Sequence, residues 1–380
     1  MAAAFGTFLR MNLKIAKIIC GTALLCQVFN FNLASAADDT NASAITSAIP
    51  PTNAPAARRG FRGGPMTADE QAEVAKLDLL PAWTPGAGDG DFFIARPFTK
   101  APELTPNPNV PKGRVESFLM NAADSKFYPD TGLRGATPTR KVTVYIPSQY
   151  VHGTAAPFIV TADANGANGN QLPTILDNMI ADHRLPVMIA VMIANGGGDG
   201  GGSERGLEYD TVSGKNCEFI EAEVLPRVEK DYGVTLTKDP DGRAASGGSS
   251  GGAAVFTMAW FHPELYHRVL IYSGTFVNQH PDADYPHGAW EYHAHLIPEN
   301  PAKPIRIWME VGEHDNGATN TAAAFHNWLI ANERMAAVLK DKGYHYQFIY
   351  AKGAGHVDGG AVRQTLPSAL EYVWQGYPVK

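Results

Sequence analysis

The run Ala244–Phe256 contains Gly247-x-Ser249-x-Gly251, with small apolar residues before it and helix-forming residues after it. A serine held between two glycines where a strand turns into a helix is the arrangement of a nucleophile elbow. The turn is tight enough that side chains two positions before and after the serine would collide, which calls for glycine there. It lifts the hydroxyl above the sheet and leaves the next backbone N–H, that of Ser250, free to hold an oxyanion. Gly248-x-Ser250-x-Gly252 satisfies the same spacing. Ser249 is preferred, because Gly251 and Gly252 then begin a closely packed helix. A hydroxyl becomes a useful nucleophile only when a base takes its proton. In this layout the partners follow in the order serine, acid, histidine. Asp315 leaves the apolar run Ile305–Val311 within Gly312-Glu313-His314-Asp315-Asn316-Gly317, and is the expected acid, with Glu313 in reserve. His356 lies in the glycine-rich stretch Lys352–Gly360 and is the expected base. The chemistry that such a set performs is acyl transfer through a serine ester.

These three residues need rigid supports. Short apolar, β-branched runs predict strands near Arg114–Met120, Lys141–Ile146, Phe158–Ala162, Val187–Ala194, Arg243–Ser246, Arg268–Tyr272, Ile305–Val311 and Tyr346–Tyr350. Runs as continuously apolar as Val187–Ile193 suit strands buried on both faces, hence a mostly parallel sheet. Helices fit between them at Pro173–Asp182, Asn216–Tyr232, Ala253–Trp260, Thr321–Lys340 and Val362–Trp374. The alternation predicts an α/β fold with about eight central strands and helices on both faces. Each chemical residue then sits at the C-terminal end of a strand.

The chain has 380 residues, 44% of them hydrophobic and 18% charged, a globular composition with a net charge of −7. That balance disfavours nucleic acid as a partner. Arg10, Lys14 and Lys17 precede an uncharged run from Ile18 to Val28, and Ala34-Ser35-Ala36 offers a small-x-small cleavage site. The run is 11 residues long, where a membrane span needs about 20. Residues 1–36 therefore read as an export signal, and no stable membrane anchor is expected. Its removal takes away two of the three cysteines and leaves Cys217, read as a packed structural thiol. Residues 37–80 are rich in Ala, Ser, Thr, Pro and Asn and read as a mobile linker. Eleven of the 27 prolines fall between residues 37 and 112, so 81–112 is expected to be an irregular extension before a catalytic domain over 113–377.

Several segments together resemble a known family. They are Leu176–Ile180, Pro186–Val191, Arg205-x-x-Glu208-Tyr209-Asp210, Gly247-x-Ser249-x-Gly251-Gly252 and Gly355-His356. The chain is similar over roughly residues 113–377 to the enterochelin-esterase-like "putative esterase" family of α/β-hydrolases. That family is related in turn to exported feruloyl and acetylxylan esterases and to mycolyl transferases. The resemblance implies a Ser-Asp-His esterase with Ser249, Asp315 and His356 in those roles and no cofactor. It departs at Asp163-Ala164-Asn165-Gly166, where the family usually has Asp-Gly. The second oxyanion donor is accordingly assigned to Asn165, with Ala164 as the other choice, beside Ser250.

Two clusters remain. Asn195–Gly202 is glycine-rich but lacks the Gly-Lys-Ser/Thr of a phosphate loop, and reads as a loop at the pocket rim. His287–His295 holds three histidines and Glu291. A metal site is weighed there and set aside in favour of a pocket wall, with Trp290, Tyr292 and His287, together with Tyr209, as the expected substrate-pocket residues. The expected substrate is a small-molecule or polysaccharide-linked ester. Carbohydrate-linked feruloyl or acetyl esters come before siderophore-type esters. An acyltransferase using the same triad, and a silent carbohydrate-binding or envelope protein on the same fold, are the alternatives.

Overall fold

The computed structural model describes residues 63–164 and 171–379. Its strands are β1 (Gly90–Ala95), β2 (Arg114–Asn121), β3 (Thr139–Ile146), β4 (Ala155–Ala156), β5 (Phe158–Ala162), β6 (Ile189–Ile193), β7 (Thr235–Leu236), β8 (Arg243–Gly248), β9 (Arg268–Tyr272), β10 (Arg306–His314) and β11 (His345–Gly355). β4 and β7 form a small separate pair; the others make one nine-stranded sheet in the order β1-β11-β10-β9-β8-β5-β6-β3-β2. β3 is antiparallel to β2 and to β6, and every other pairing in this sheet is parallel.

Successive strand residues point to opposite faces, and both faces here are apolar. Val160, Ala245, Ile271 and Met309 enter one core, while their neighbours Ile159, Ala244, Leu270 and Trp308 enter the other. The first core is closed by the stretch from Lys215 to Tyr232, by α6 (Ser250–Phe261) and by α8 (Trp328–Asp341). The second is closed by α2 (Leu172–Ala181) and α9 (Gly359–Trp374). A sheet covered in this way is a rigid base, and its parallel strands all deliver their C-terminal ends to one edge.

The eight expected strands are all present, and the sheet gains a ninth, β1, inside the stretch expected to be irregular. It pairs with β11 from Gly90↔Gln347 to Ala95↔Lys352, so its partner lies far along the chain. Residues 68–80, placed in the mobile linker, instead hold the helix α1 (Ala68–Ala75) and a 3₁₀ turn, Lys76–Leu79. Thr67 and Glu70 form a capping box at its start, with Thr67 N donating to Glu70 Oε2 at 2.7 Å and Glu70 N to Thr67 Oγ1 at 3.2 Å. The helix expected over Thr321–Lys340 starts only at Trp328, because Phe325 adopts a left-handed backbone (φ 54°) and Asn327 caps the Ile330 amide. The helix expected over Asn216–Tyr232 is α4 (Lys215–Phe219), a π turn at Ile220–Val224 and α5 (Leu225–Tyr232). Pro226 has no N–H to continue a regular ladder there, which accounts for the wider turn. Between α2 and α4 lies the short helix α3 (Glu204–Tyr209), and the single turn α7 (Ile297–Glu299) precedes β10.

Cys217 is buried and free, and burial pushes its thiol up, so it stays protonated. Among the described residues no helix is long and apolar enough to cross a membrane. The expected signal (1–36), most of the linker and Asn165 lie outside the described residues.

Candidate active site

Ser249 stands between β8 and α6 with φ 57° and ψ −130°. A non-glycine residue in this region is strained, and the packing around it holds the strain. Its N–H donates to Tyr272 O on β9 at 2.9 Å, and its own carbonyl accepts from Gly252 N at 2.9 Å and Thr275 N at 3.1 Å. The glycines are needed for close approach. A Cβ on Gly247 would overlap the Gly251 carbonyl, one on Gly251 would come within 2.9 Å of Ala162 Cβ, and one on Gly252 within 2.9 Å of Ile271 Cγ2. Ser250 is the first residue of α6, where backbone N–H groups have no acceptor within the helix.

The strands β8, β10 and β11 bring Ser249, Asp315 and His356 together just past their C-terminal ends. His356 Nε2 lies 2.8 Å from Ser249 Oγ, and His356 Nδ1 lies 2.6 Å from Asp315 Oδ1. The Asp315 carboxylate is fully buried, while the His356 side chain is a quarter exposed (25%). Ser249 is half-buried, so the serine end of the line reaches solvent and the aspartate end does not. The amide of Asn316 also donates to Asp315 Oδ1, at 2.7 Å. Glu313, the reserve acid, turns away and accepts from Gly353 N at 2.8 Å. Val357 N donates to Ser273 Oγ at 2.9 Å, which ties the histidine loop to the end of β9.

Two neighbours carry no local sequence signal. Thr275 Oγ1 is 3.4 Å from Ser249 Oγ and accepts from Trp328 Nε1 at 3.2 Å. The Trp328 ring meets His356 edge-on, with centroids 6.0 Å apart. Both come from segments that read as plain loop and helix, and only the fold brings them to the serine.

The motif Arg205-x-x-Glu208-Tyr209-Asp210 lies on and just after α3 and fastens four pieces of the site. Arg205 clasps both carboxylate oxygens of Asp163 at 3.1 and 2.7 Å. Glu208 pairs with the buried Arg140 on β3 at 2.5 Å and accepts from Gly196 N at 3.0 Å. Burial pushes the Glu208 carboxyl up to about 7, with Arg140 opposing. Tyr209 is buried, and its hydroxyl accepts from Asp163 N at 3.4 Å, so it supports the end of β5. Asp210 accepts from Ser250 Oγ at 3.1 Å. Ala164 N donates to Ile193 O at 3.1 Å and is committed to the sheet, which leaves Asn165 as the other named donor candidate.

The expected pocket wall is largely core. Tyr292 is fully buried, edge-on to Phe256 at 4.9 Å, with its hydroxyl donating to Thr257 Oγ1 at 2.8 Å. Trp290 is buried against His293 and Phe325. Neither offers a face to a ligand. His287 is partly exposed, stacks on Phe325 at 4.0 Å and pairs with Glu291 at 2.8 Å. Burial pushes His293 down to about 3, so it is neutral, and among the described residues no cluster of three or more His, Cys, Asp or Glu could hold a metal.

A mostly parallel sheet with a strained serine elbow after one strand, and an acid and a histidine after later strands, defines an α/β-hydrolase. A family model described as "Putative esterase" matches residues 137–371, and the chain belongs to that family: it is a carboxylic ester hydrolase. Among solved structures it is similar to FAE, at 19% identity and TM-score 0.50, over 79% of this chain and 99% of that one. It is similar also to the Shigella flexneri enterobactin esterase FES in the presence of 2,3-dihydroxy-N-benzoyl-serine, at 18% identity and TM-score 0.51, over 71% of this chain. There the match spans 61% of FES, less than two thirds of that chain. A feruloyl esterase module from Clostridium thermocellum matches at 18% identity and TM-score 0.49, over 78% of this chain and 98% of the module. No curated protein matches the chain.

Proposed function

We propose that this esterase is exported and works through Ser249, His356 and Asp315 on esters attached to carbohydrate. The observation that carries the reading is the hydrogen-bonded line from Asp315 through His356 to Ser249, with 2.6 and 2.8 Å steps. Ser249 Oγ attacks the ester carbonyl carbon as His356 Nε2 takes its proton. The carbonyl oxygen, now negative, is received by the Ser250 N–H and by an N–H of the loop after Asp163, assigned to Asn165. Each such donor contributes about 3 kcal/mol to the transition state. The carbon–oxygen bond to the alcohol then breaks, and His356 returns its proton to the leaving oxygen. Water repeats the sequence on the acyl-serine and frees the acid. Asp315 holds the tautomer with hydrogen on Nδ1 and stabilises the imidazolium that forms.

Export is supported by the charge and apolar pattern of residues 1–36. Feruloyl and acetyl esters of carbohydrate stand first among substrates, because an exported esterase meets such polymers; siderophore-type esters stand second. The test is fluorophosphonate labelling of the purified protein, with the modified residue mapped by mass spectrometry and p-nitrophenyl acetate turnover measured alongside. Labelling at Ser249 with turnover is expected. A folded protein that neither labels nor turns over the ester would overturn the reading. Feruloylated and acetylated xylo-oligosaccharides, compared with a siderophore trilactone, rank the substrates by kcat/KM.

A further inference from the structure

The segment from Gly64 to Glu73 lies along the loop that connects Asp315 to Trp328, and we propose that it is a clamp that positions both residues, with Glu70 as its positioning residue. The proposal rests on the triad reading above.

The loop is closed on itself first. Ala318 N donates to Asp315 O at 3.1 Å, and Trp328 N donates to Asn316 O at 3.1 Å. Asn327 Nδ2 donates to Asn320 O at 2.7 Å. Asp315 and Trp328 therefore stand side by side at the neck of the loop, one bonded to His356 and the other against its ring.

The far end of the loop is held from outside, by the N-terminal segment. Met66 N donates to Thr319 O at 3.1 Å and Thr321 N donates to Gly64 O at 2.8 Å, a short backbone zipper. Glu70 adds the side-chain lock. Its Oε1 accepts from Ala322 N at 2.9 Å and from Thr321 Oγ1 at 3.0 Å, while Oε2 accepts from Thr67 N in the capping box. Glu70 is buried, so these bonds are shielded from competing water. One turn later Glu73 grips Arg334 on α8 with two bonds of 2.8 and 2.9 Å, fixing α1 to the scaffold. A carboxylate anchored at both ends thus stops the loop from swinging. Without it, the far end keeps its backbone bonds to Gly64 and Met66 but loses those to Thr321 Oγ1 and Ala322 N, and Asp315 and Trp328 share the looser motion. An error of about 1 Å in such a constellation can cost roughly 10²-fold in rate.

The experiment uses the full chain. Glu70→Ala is expected to lower kcat for p-nitrophenyl acetate by about 10- to 100-fold, with KM little changed and the rate of fluorophosphonate labelling at Ser249 falling in step. The rising limb of the pH–rate profile is expected to move, since Asp315 no longer sits squarely on His356. Glu70→Gln, whose amide oxygen still accepts from Ala322 N, restores most of kcat. Glu73→Gln weakens the anchor of α1 on α8 while leaving the Glu70 bonds in place, so it lowers the melting temperature and is expected to lower kcat to a much smaller degree than Glu70→Ala. Thr321→Val removes one of the two loop contacts and reports the same pattern in smaller degree should Glu70→Ala not fold. Wild-type kcat and an unmoved pH limb in Glu70→Ala, or in Thr321→Val where only that variant folds, would overturn the proposal. So would Glu73→Gln losing kcat as severely as Glu70→Ala. A wild-type protein that is folded yet unlabelled at Ser249 removes the triad reading itself, a result distinct from the others.

Discussion

Ser250 Oγ donates to Asp210 Oδ2 across 3.1 Å, so the second serine of the elbow turns its hydroxyl into the protein while the first keeps its hydroxyl on His356. The two overlapping Gly-x-Ser-x-Gly registers are separated by this bond. Asp210 is buried, its Oδ1 has no partner among the described residues, and burial pushes its carboxyl up to about 7. Ser249→Ala is expected to lower kcat by at least about 10⁴-fold with the fold retained. Ser250→Ala keeps the backbone N–H and should stay active. It removes the one bond to Asp210 and should cost about 1–3 kcal/mol of stability. Steady-state rates and urea denaturation on the two variants check both halves.

Asp315 offers His356 one oxygen and buries the other without a partner among the described residues. Asp315→Asn changes no volume, but an amide NH₂ facing Nδ1 favours the tautomer that puts hydrogen on Nε2. That proton points at Ser249 and blocks base catalysis. A fall in kcat of about 10⁴-fold is expected, with an unchanged circular dichroism spectrum. A loss below tenfold would remove Asp315 from the role of acid.

The sheet was legible because its strands are short apolar runs buried on both faces, as in Ile189–Ile193. The meeting of Ser249, Asp315 and His356 was legible because parallel strands deliver their C-terminal ends to one edge. β1 was hidden: Phe92, Phe93 and Ile94 sit in a proline-rich stretch, and only their distant partner β11 makes them a strand. α1 was readable, since Thr67-x-x-Glu70 is a capping-box pattern that the surrounding Ala- and Pro-rich composition masks. Trp290 and Tyr292 misled for a different reason. An aromatic cluster beside polar residues has the same sequence signature whether it lines a pocket or, as here, fills the core against Phe256 and Phe325.

Gly247 and Gly355 flank members of the proposed triad alike, yet their surroundings differ. A Cβ on Gly247 meets the Gly251 carbonyl, which belongs to the backbone of α6 and cannot yield without moving the helix. A Cβ on Gly355, beside His356, meets nothing within 4 Å among the described residues. Gly247→Ala should therefore lose at least about 1–3 kcal/mol and most of its activity. Gly355→Ala should stay within about 0.5 kcal/mol of the parent and remain active. Thermal melts and p-nitrophenyl acetate rates on the pair provide the comparison.

Glu310 lies in the middle of β10, fully buried, with neither carboxylate oxygen hydrogen-bonded among the described residues. Burial first, and then the charges of Asp315 and Asp358, push its carboxyl well above the ordinary range. The folded protein therefore keeps this proton at a pH where the unfolded chain, with an ordinary value near about 4.3, has released it. Between those two values the folded state binds more protons, so stability falls as pH rises. Below about pH 4 both states are protonated and the penalty vanishes. Glu310→Gln is neutral at every pH and lacks this slope. Its stability relative to the parent should be near constant below about pH 4 and then grow by up to about 1.4 kcal/mol per pH unit as pH climbs toward neutrality. Urea midpoints at half-unit steps from pH 4 to 8 measure the difference. A gap that does not widen with pH would mean that Glu310 is not the group holding the proton.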